Sequence, residues 1–501
     1  MHEIFPTYTE EQKKIISEEG DLLIIAGPGT GKTYTLLGKI RHLLENKGIP
    51  PEKIIILTFA VKTSHELKEK LKKTGILNVK VDTFHGFAYD LWKDFYQKEP
   101  PLISEEEKKK ILKSLFPKIK QPLKDVNRKN LYFKYLKTHQ LLDFDLLLDE
   151  VSKLPFHSFK DFYIIIDEFQ DLSPEILSFL KVFKDSKFIL FGDPNQSIYS
   201  FKGVDLYYLQ KFWAQFKPQT KILTLTLSFR CTENILKYAE KFKNSPWMVP
   251  SYKSTKPNGI VQGYFFPNIY QEGKFLVKLI TRLLGGLSLE TQTYTSVSPG
   301  EIFILSRIKN SFLHLKEIFQ KEGLPIKFPE EKAQEIYEKL TQFLKNIEGS
   351  LLDIKTYINQ ADQDIKLFLE NIWHLSQEDK EKFIAYLKNL TPMDFVVPDY
   401  EGINFLSIHA SKGLEAEYVF LIGVEKGLIP LTIFPDTIEE EEMRLVYVAL
   451  TRAKKGFYFT GVKNRQIFSF QLNFGISPYF KNFPIEEIKP APKIPKQTKL
   501  F

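Results

Sequence analysis

The stretch IIAGPGTGKT, residues 24–33, carries the spacing Gly-x-x-x-x-Gly-Lys-Thr between an apolar run and the helical pattern YTLLGKIRHLL. Phosphate binding asks for this combination: glycines that let the backbone curl, amide N–H groups that converge on an anion, and the positive end of a helix behind them. Ala26, Gly27, Pro28, Gly29, Thr30 and Gly31 are the candidate cradle, Lys32 reaches for β- and γ-phosphates, and Thr33 offers a hydroxyl to Mg²⁺. A second run, YIIIDEFQD (163–171), delivers two acids at the end of an apolar strand. Asp167 suits the Mg²⁺ shell. Glu168, one residue on and facing the other way, suits a base that orients and deprotonates water. The two motifs predict a nucleoside triphosphate site. By themselves they admit a kinase, a GTPase or a transporter ATPase, although no guanine-reading Asn-Lys-x-Asp sequence occurs.

Residues of this kind need stiff strands to hold them, and short apolar runs alternate with helical stretches as in parallel α/β sheets. Strands are expected at 21–27, 53–59, 163–168, 187–193 and 222–229, then at 259–266, 301–307, 403–409, 418–424 and 456–462. Two α/β domains follow, each interrupted by a helical insertion. The first is expected at 1–88 and 161–247 around an insertion at 89–160; the second at 248–328 and 401–475 around an insertion at 329–400; a Pro-rich flexible tail occupies 476–501. A length of 501 residues fits roughly two to four domains. The single cysteine, Cys231, excludes an internal disulfide and a cysteine-based zinc site. No apolar run is long enough to span a bilayer, and the N-terminus lacks a signal-peptide pattern, so a cytoplasmic protein is expected. The net charge of +8 is compatible with a polyanionic partner.

Further motifs narrow the class. In order along the chain come YTEEQ (8–12), LTFAVKTSHELKEKL (57–71), VDTFHGFA (81–88), IIIDEFQDLSP (164–174), FGDPNQSIYSFKGVD (191–205), LTLSFR (225–230), FLSIHASKGLEAEYVFLIGVEKGLIP (405–430) and EEEMRLVYVALTRAKK (440–455). From residue 8 to about 462 the chain resembles the superfamily 1A DNA helicases of the UvrD/Rep/PcrA type, whose motifs Q, Ia, Ib, II, III, IV, V and VI these match. The resemblance implies two RecA-like domains, ATP with Mg²⁺, single-stranded DNA and single-strand/duplex junctions as partners, and 3′→5′ movement in DNA repair or replication near the nucleoid. It implies that Gln12 reads the adenine edge, Phe229 stacks on the base where the family commonly has Tyr, and Glu415 meets the ribose. Arg230 and Arg452 become arginine fingers, and Gln196 senses the γ-phosphate. Phe59, Tyr199 and Phe201 would stack on bases, with Phe201 and Lys202 standing where Trp and Arg are usual. Thr83, His85, His409 and Lys412 would meet phosphates and sugars. Motif Ia departs most, with AVKTS in place of a TNKAA-like run. Two rivals remain: a translocase that displaces proteins without unwinding, and a DNA-stimulated ATPase that does not move.

In the first insertion, eleven Lys or Arg and one acid lie between Lys108 and Lys137, interleaved with Phe116, Tyr132, Phe133 and Tyr135. In family terms this is subdomain 1B, expected against nucleic acid. The second insertion takes the place of subdomain 2B but is shorter than usual, and no nuclease-like domain is expected after motif VI. The terminal QTKLF resembles the pentapeptide that holds the bacterial β sliding clamp, with Gln497, Leu500 and Phe501 matching.

Overall fold

The structure, a computed structural model, describes residues 8–119, 122–155, 159–285, 297–348, 353–434, 437–467, 470–472 and 475–489. The clamp-like peptide with Gln497, Leu500 and Phe501 lies outside them. The chain divides into two compact units: one takes residues 1–228, 245–252 and 330–396, the other 229–244, 253–329 and 397–501.

The first unit is built on six strands: β1 (Leu22–Ala26), β2 (Ile54–Thr58), β3 (Lys80–Thr83), β4 (Tyr163–Asp167), β5 (Lys187–Gly192) and β6 (Lys221–Leu225). All pair in parallel, in the order β3-β2-β4-β5-β1-β6. Their runs are almost wholly apolar because both faces are covered. Leu23, Ile25, Ile55, Leu57, Ile164 and Ile166 enter one core, while Leu22, Ile24, Ile54, Ile56 and Ile165 enter another. That alternation is the two-residue period of a strand. β5 lies between β1 and β4, with Ile25 beside Gly192 and Phe191 beside Asp167. The chain therefore leaves all three strands at one edge of the sheet, where ligands bind in open α/β folds.

The helical insertion after β3 is part of this unit's core. Phe116 and Tyr132 are buried, and Phe133 and Tyr135 pack against the same cluster. The aromatic residues expected to interleave with DNA-facing cations are thus core residues. Part of the basic run is also engaged internally: Lys108 lies 3.0 Å from Asp143 and 3.1 Å from Asp145, Lys137 lies 2.8 Å from Glu150, and Lys129 pairs with Glu175. Lys109, Lys110, Lys113, Lys118 and Lys134 remain exposed.

The second helical insertion departs from expectation. Within residues 330–396 it groups with the first unit, although its sequence neighbours lie in the second. Ala385 enters the first unit's core, and charged pairs fasten the insertion beside it. Asp82 is 2% exposed, and Lys382 reaches it at 3.0 Å and Asp90 at 2.8 Å. The Tyr386 hydroxyl donates to Asp82 as well, and Lys93 meets Asp379 at 2.6 Å.

The second unit carries seven parallel strands in the order Ile326–Lys327, Ile403–Ser407, Ile302–Ser306, Ala416–Ile422, Ala453–Val462, Ile260–Phe266 and Ile485–Glu487. The last strand falls in the stretch expected to be a flexible tail. Phe480 and Phe483 explain the difference, because both are buried and their rings lie 4.7 and 5.5 Å from that of Phe459. The ordered chain therefore runs well past residue 476.

Candidate functional site

β1 ends at Ala26 and the helix α1 (Lys32–Glu45) begins six residues later. Gly31, the N-cap of α1, has φ 79°, a left-handed conformation, and a Cβ there would lie 2.8 Å from Gln12 Nε2. A Cβ on Gly27 would fall on the ring of Tyr252. Both positions require glycine. Side chains brace the loop from outside: Thr30 Oγ1 donates to the Gly27 carbonyl at 2.9 Å, and Ser228 Oγ to that of Pro28 at 2.7 Å. Gln12 is 3% exposed. Its Nε2 donates to the Thr30 carbonyl at 3.3 Å and its Oε1 accepts from Thr9 N at 3.0 Å. The residue expected to read adenine is thus fastened to the phosphate loop itself.

Lys32 Nζ lies 3.0 Å from Asp167 Oδ1 and also bonds the Glu168 carboxylate. Burial opposes its charge, but the two acids outweigh burial and hold the ammonium well above the ordinary lysine range. Glu168 has φ 61°, so the backbone turns sharply as it leaves β4. The acids face a cation already, which shows that the site is arranged to hold positive charge. Thr33 and Asp167 supply hard oxygen donors, the set Mg²⁺ takes when phosphates and waters complete its shell. Among the described residues no group of three or more His, Cys, Asp or Glu is placed to hold a metal ion.

The turn after β5 sits beside these acids. Gln196 Nε2 donates to Asp193 Oδ2 at 3.0 Å, and Asp193 Oδ1 accepts from Asn195 N at 3.0 Å. Gln170, fully buried, was not singled out by the sequence reading beyond its place in motif II. Its Nε2 donates to Glu168 Oε2 at 2.6 Å, and its Oε1 accepts from Asp193 N at 3.0 Å. The signal that could have found it is a side-chain amide two residues past the base.

The same turn leads to Tyr199 and Phe201, whose rings meet edge-on at 5.8 Å, with Lys202 Nζ 5.0 Å over the Tyr199 ring. Phe201 is 45% exposed, as a stacking platform must be. The other candidates for nucleic-acid contact in this unit sit deeper. Phe59 packs partly buried, 5.1 Å from the Phe84 ring. Thr83 is buried and caps the helix α2 (Phe84–Tyr96), its Oγ1 accepting from Gly86 N at 2.9 Å. His85 lies 3.2 Å from Asn389 and beside the Phe144 ring. Burial lowers its pKa to about 4, so the imidazole is neutral.

In the second unit, Arg230 Nε lies 2.6 Å from Glu415, which also meets Lys454 at 2.9 Å. Burial would raise the Glu415 pKa, but Arg230 and Lys454 hold it below the ordinary range. Phe229 is 44% exposed. Arg452 is 1% exposed; its Nε donates to the Val448 carbonyl at 3.0 Å and its Nη1 to that of Leu414 at 3.0 Å. The expected finger therefore caps the end of its own helix, Glu439–Thr451. His409 and Lys412 stand in the turn after Ile403–Ser407, where burial, with Arg307 and Lys412 nearby, lowers the His409 pKa to about 3.

A lysine drawn onto paired acids beside a glycine cradle, at one edge of a parallel sheet, defines a P-loop NTPase of RecA-like architecture. Comparison with protein families agrees: an AAA domain model matches residues 10–202, and a UvrD-like helicase C-terminal domain model matches residues 331–464. YjcD of Bacillus subtilis is 25% identical over 610 residues, covering 92% of this chain and 80% of that protein. The ATP-dependent DNA helicase Rep of Buchnera aphidicola is 24% identical, covering 95% of this chain and 98% of the relative. PcrA of Staphylococcus epidermidis, also named an ATP-dependent DNA helicase, is 23% identical, covering 95% and 86%. The two family matches and these relatives together support a DNA helicase of the UvrD/Rep/PcrA type. The aligned spans of 610 to 644 residues exceed its own 501, so these relatives carry segments that it lacks. Among the described residues no helix is long and apolar enough to cross a membrane.

Proposed function

We propose that this protein couples ATP hydrolysis to 3′→5′ movement along single-stranded DNA and to unwinding at single-strand/duplex junctions, in DNA repair or replication at the nucleoid. One observation carries the reading. The acid-held Lys32 and the Tyr199–Phe201 pair, half-buried at Tyr199 and exposed at Phe201, belong to one unit and are joined through the turn after β5. In this reading Thr33 and Asp167 hold Mg²⁺, which supplies charge neutralisation at the phosphates when bound. Lys32 leaves the acids for the β- and γ-phosphates, which releases Glu168 to orient water. Arg230 and Arg452 supply positive charge at the γ-phosphate once Arg230 leaves Glu415 and Arg452 leaves its carbonyls. Gln12 and Phe229 take the base, and Glu415 the ribose. Tyr199, Phe201 and Lys202 hold the strand, with Phe59, Thr83, His85, His409 and Lys412 as further contacts. The tail residues Gln497, Leu500 and Phe501 dock on a β sliding clamp.

The test is ATP turnover against oligo(dT) length together with strand separation on 3′-tailed and 5′-tailed duplexes. Turnover that depends on strand length, with separation on the 3′-tailed substrate, is the expected result. Turnover indifferent to length would refute movement. The short second insertion supports one alternative, a translocase that strips proteins without unwinding. It would displace a bound protein from a 3′-tailed strand yet leave the duplex paired.

A further inference from the structure

The catalytic reading leaves Gln170 without a role, although it is among the least exposed polar residues of the first unit. Its amide faces two partners. Asp193 N is a backbone donor and can only donate, so the oxygen Oε1 must face it at 3.0 Å. The amide nitrogen then necessarily faces Glu168 Oε2, at 2.6 Å, and that oxygen must accept. Glu168 Oε1 is bonded to Lys32. When Lys32 is drawn to phosphate, Oε1 is released while Oε2 stays in the grip of Gln170.

The grip extends to the turn after the neighbouring strand. The Gln170 carbonyl accepts from Ser197 Oγ at 3.1 Å, so side chain and backbone both hold the turn that runs from Asp193 to Tyr199. Room for this arrangement comes from Gly192, where a Cβ would collide with Gln170 Oε1 and the Phe169 ring. The geometry exists because β5 lies between β1 and β4, which sets the start of that turn beside the end of β4.

We propose that Gln170 is a positioning residue that orients Glu168 for attack on the γ-phosphate and ties that orientation to the turn bearing the Tyr199–Phe201 pair. The inference rests on the reading of Glu168 as the base. Two replacements of similar size separate it from a packing role: Gln170→Glu cannot donate to Glu168, and Gln170→Met can neither donate nor accept. Steady-state ATP hydrolysis with and without poly(dT) is measured for both, with ATP KM, poly(dT) affinity and thermal melting. Both variants are expected to lose kcat by on the order of tenfold or more, since a misoriented base forfeits part of the ~10²–10⁴-fold that acid–base catalysis supplies. KM and poly(dT) affinity stay within about twofold, and stimulation by poly(dT) shrinks. Wild-type kcat in either variant overturns the proposal. A rise in KM that accounts for the loss, or failure of both variants to fold, makes Gln170 a packing residue and overturns it equally. If the unmodified protein turns over no ATP even with poly(dT), the reading of the site falls first.

Discussion

Lys382 tests how the second helical insertion is held. Its side chain is 4% exposed and that of Asp82 3%, with 3.0 Å between the charges; Asp90, at 2.8 Å, is 23% exposed. Burial opposes the ammonium, yet Asp82 and Asp90 keep its pKa above the ordinary range. Lys382→Met keeps most of the volume and removes the charge. Asp90 retains Lys80 at 2.8 Å and is open enough to water to lose little. Asp82 retains hydrogen bonds from Thr83 N at 2.7 Å and from Tyr386, but no cation. Removing one partner of a buried ion pair costs about 3–5 kcal/mol, and the surviving hydrogen bonds place the expected loss near the lower end, about 3 kcal/mol. Adding Asp82→Asn removes the orphaned charge and should restore about half. All four tryptophans, Trp92, Trp213, Trp247 and Trp373, fall in the first unit, so urea unfolding followed by tryptophan fluorescence reports that unit alone. A loss under about 1 kcal/mol, the worth of a surface pair, would refute the argument. So would a double variant no more stable than Lys382→Met.

Lys32→Ala should abolish ATP hydrolysis and leave single-strand binding largely intact; residual turnover near the unmodified rate would remove Lys32 from the phosphate site. Phe201→Ala should weaken poly(dT) binding by about 1–3 kcal/mol without changing ATP KM, read by fluorescence titration. For pH, the sign follows from the folded His85 pKa of about 4 against the ordinary 6.5. The unfolded chain takes up its proton first as pH falls, so stability is held above 6.5 and lost between 6.5 and about 4. His85→Gln should flatten that part of the tryptophan-monitored stability profile, and an unchanged slope would count against it.

The sequence made legible whatever depends on near neighbours. The strands beneath the site are continuous apolar runs, and the phosphate loop, the paired acids and the sensor turn each lie within a dozen residues. The interior of the first insertion was harder to read. Lys108 and Tyr132 look solvent-facing in a basic run, and only the fold sets both against Asp143. Thr83 resembles a phosphate contact by position, yet a hydroxyl at a helix start is as readily used as a cap. The placement of 330–396 was not legible because Lys382 and Asp82 lie 300 positions apart, and no local pattern records such a partnership. Gln170 was missed for a related reason: its second partner lies in the turn after a different strand, and strand order is a property of the sheet.

The first unit is discontinuous, closing only with residues 330–396. On the ribosome, Asp82 emerges long before the lysine that neutralises it. At about 5–20 residues per second the 300 intervening residues take roughly 15–60 s to make. During that interval Asp82 has no cation from the second insertion. The ATP-site strands, all made by residue 225, can assemble beforehand. Synthesis thus orders the first unit from its phosphate loop outward, and the last of its α-helices to arrive is the one that bears Lys382.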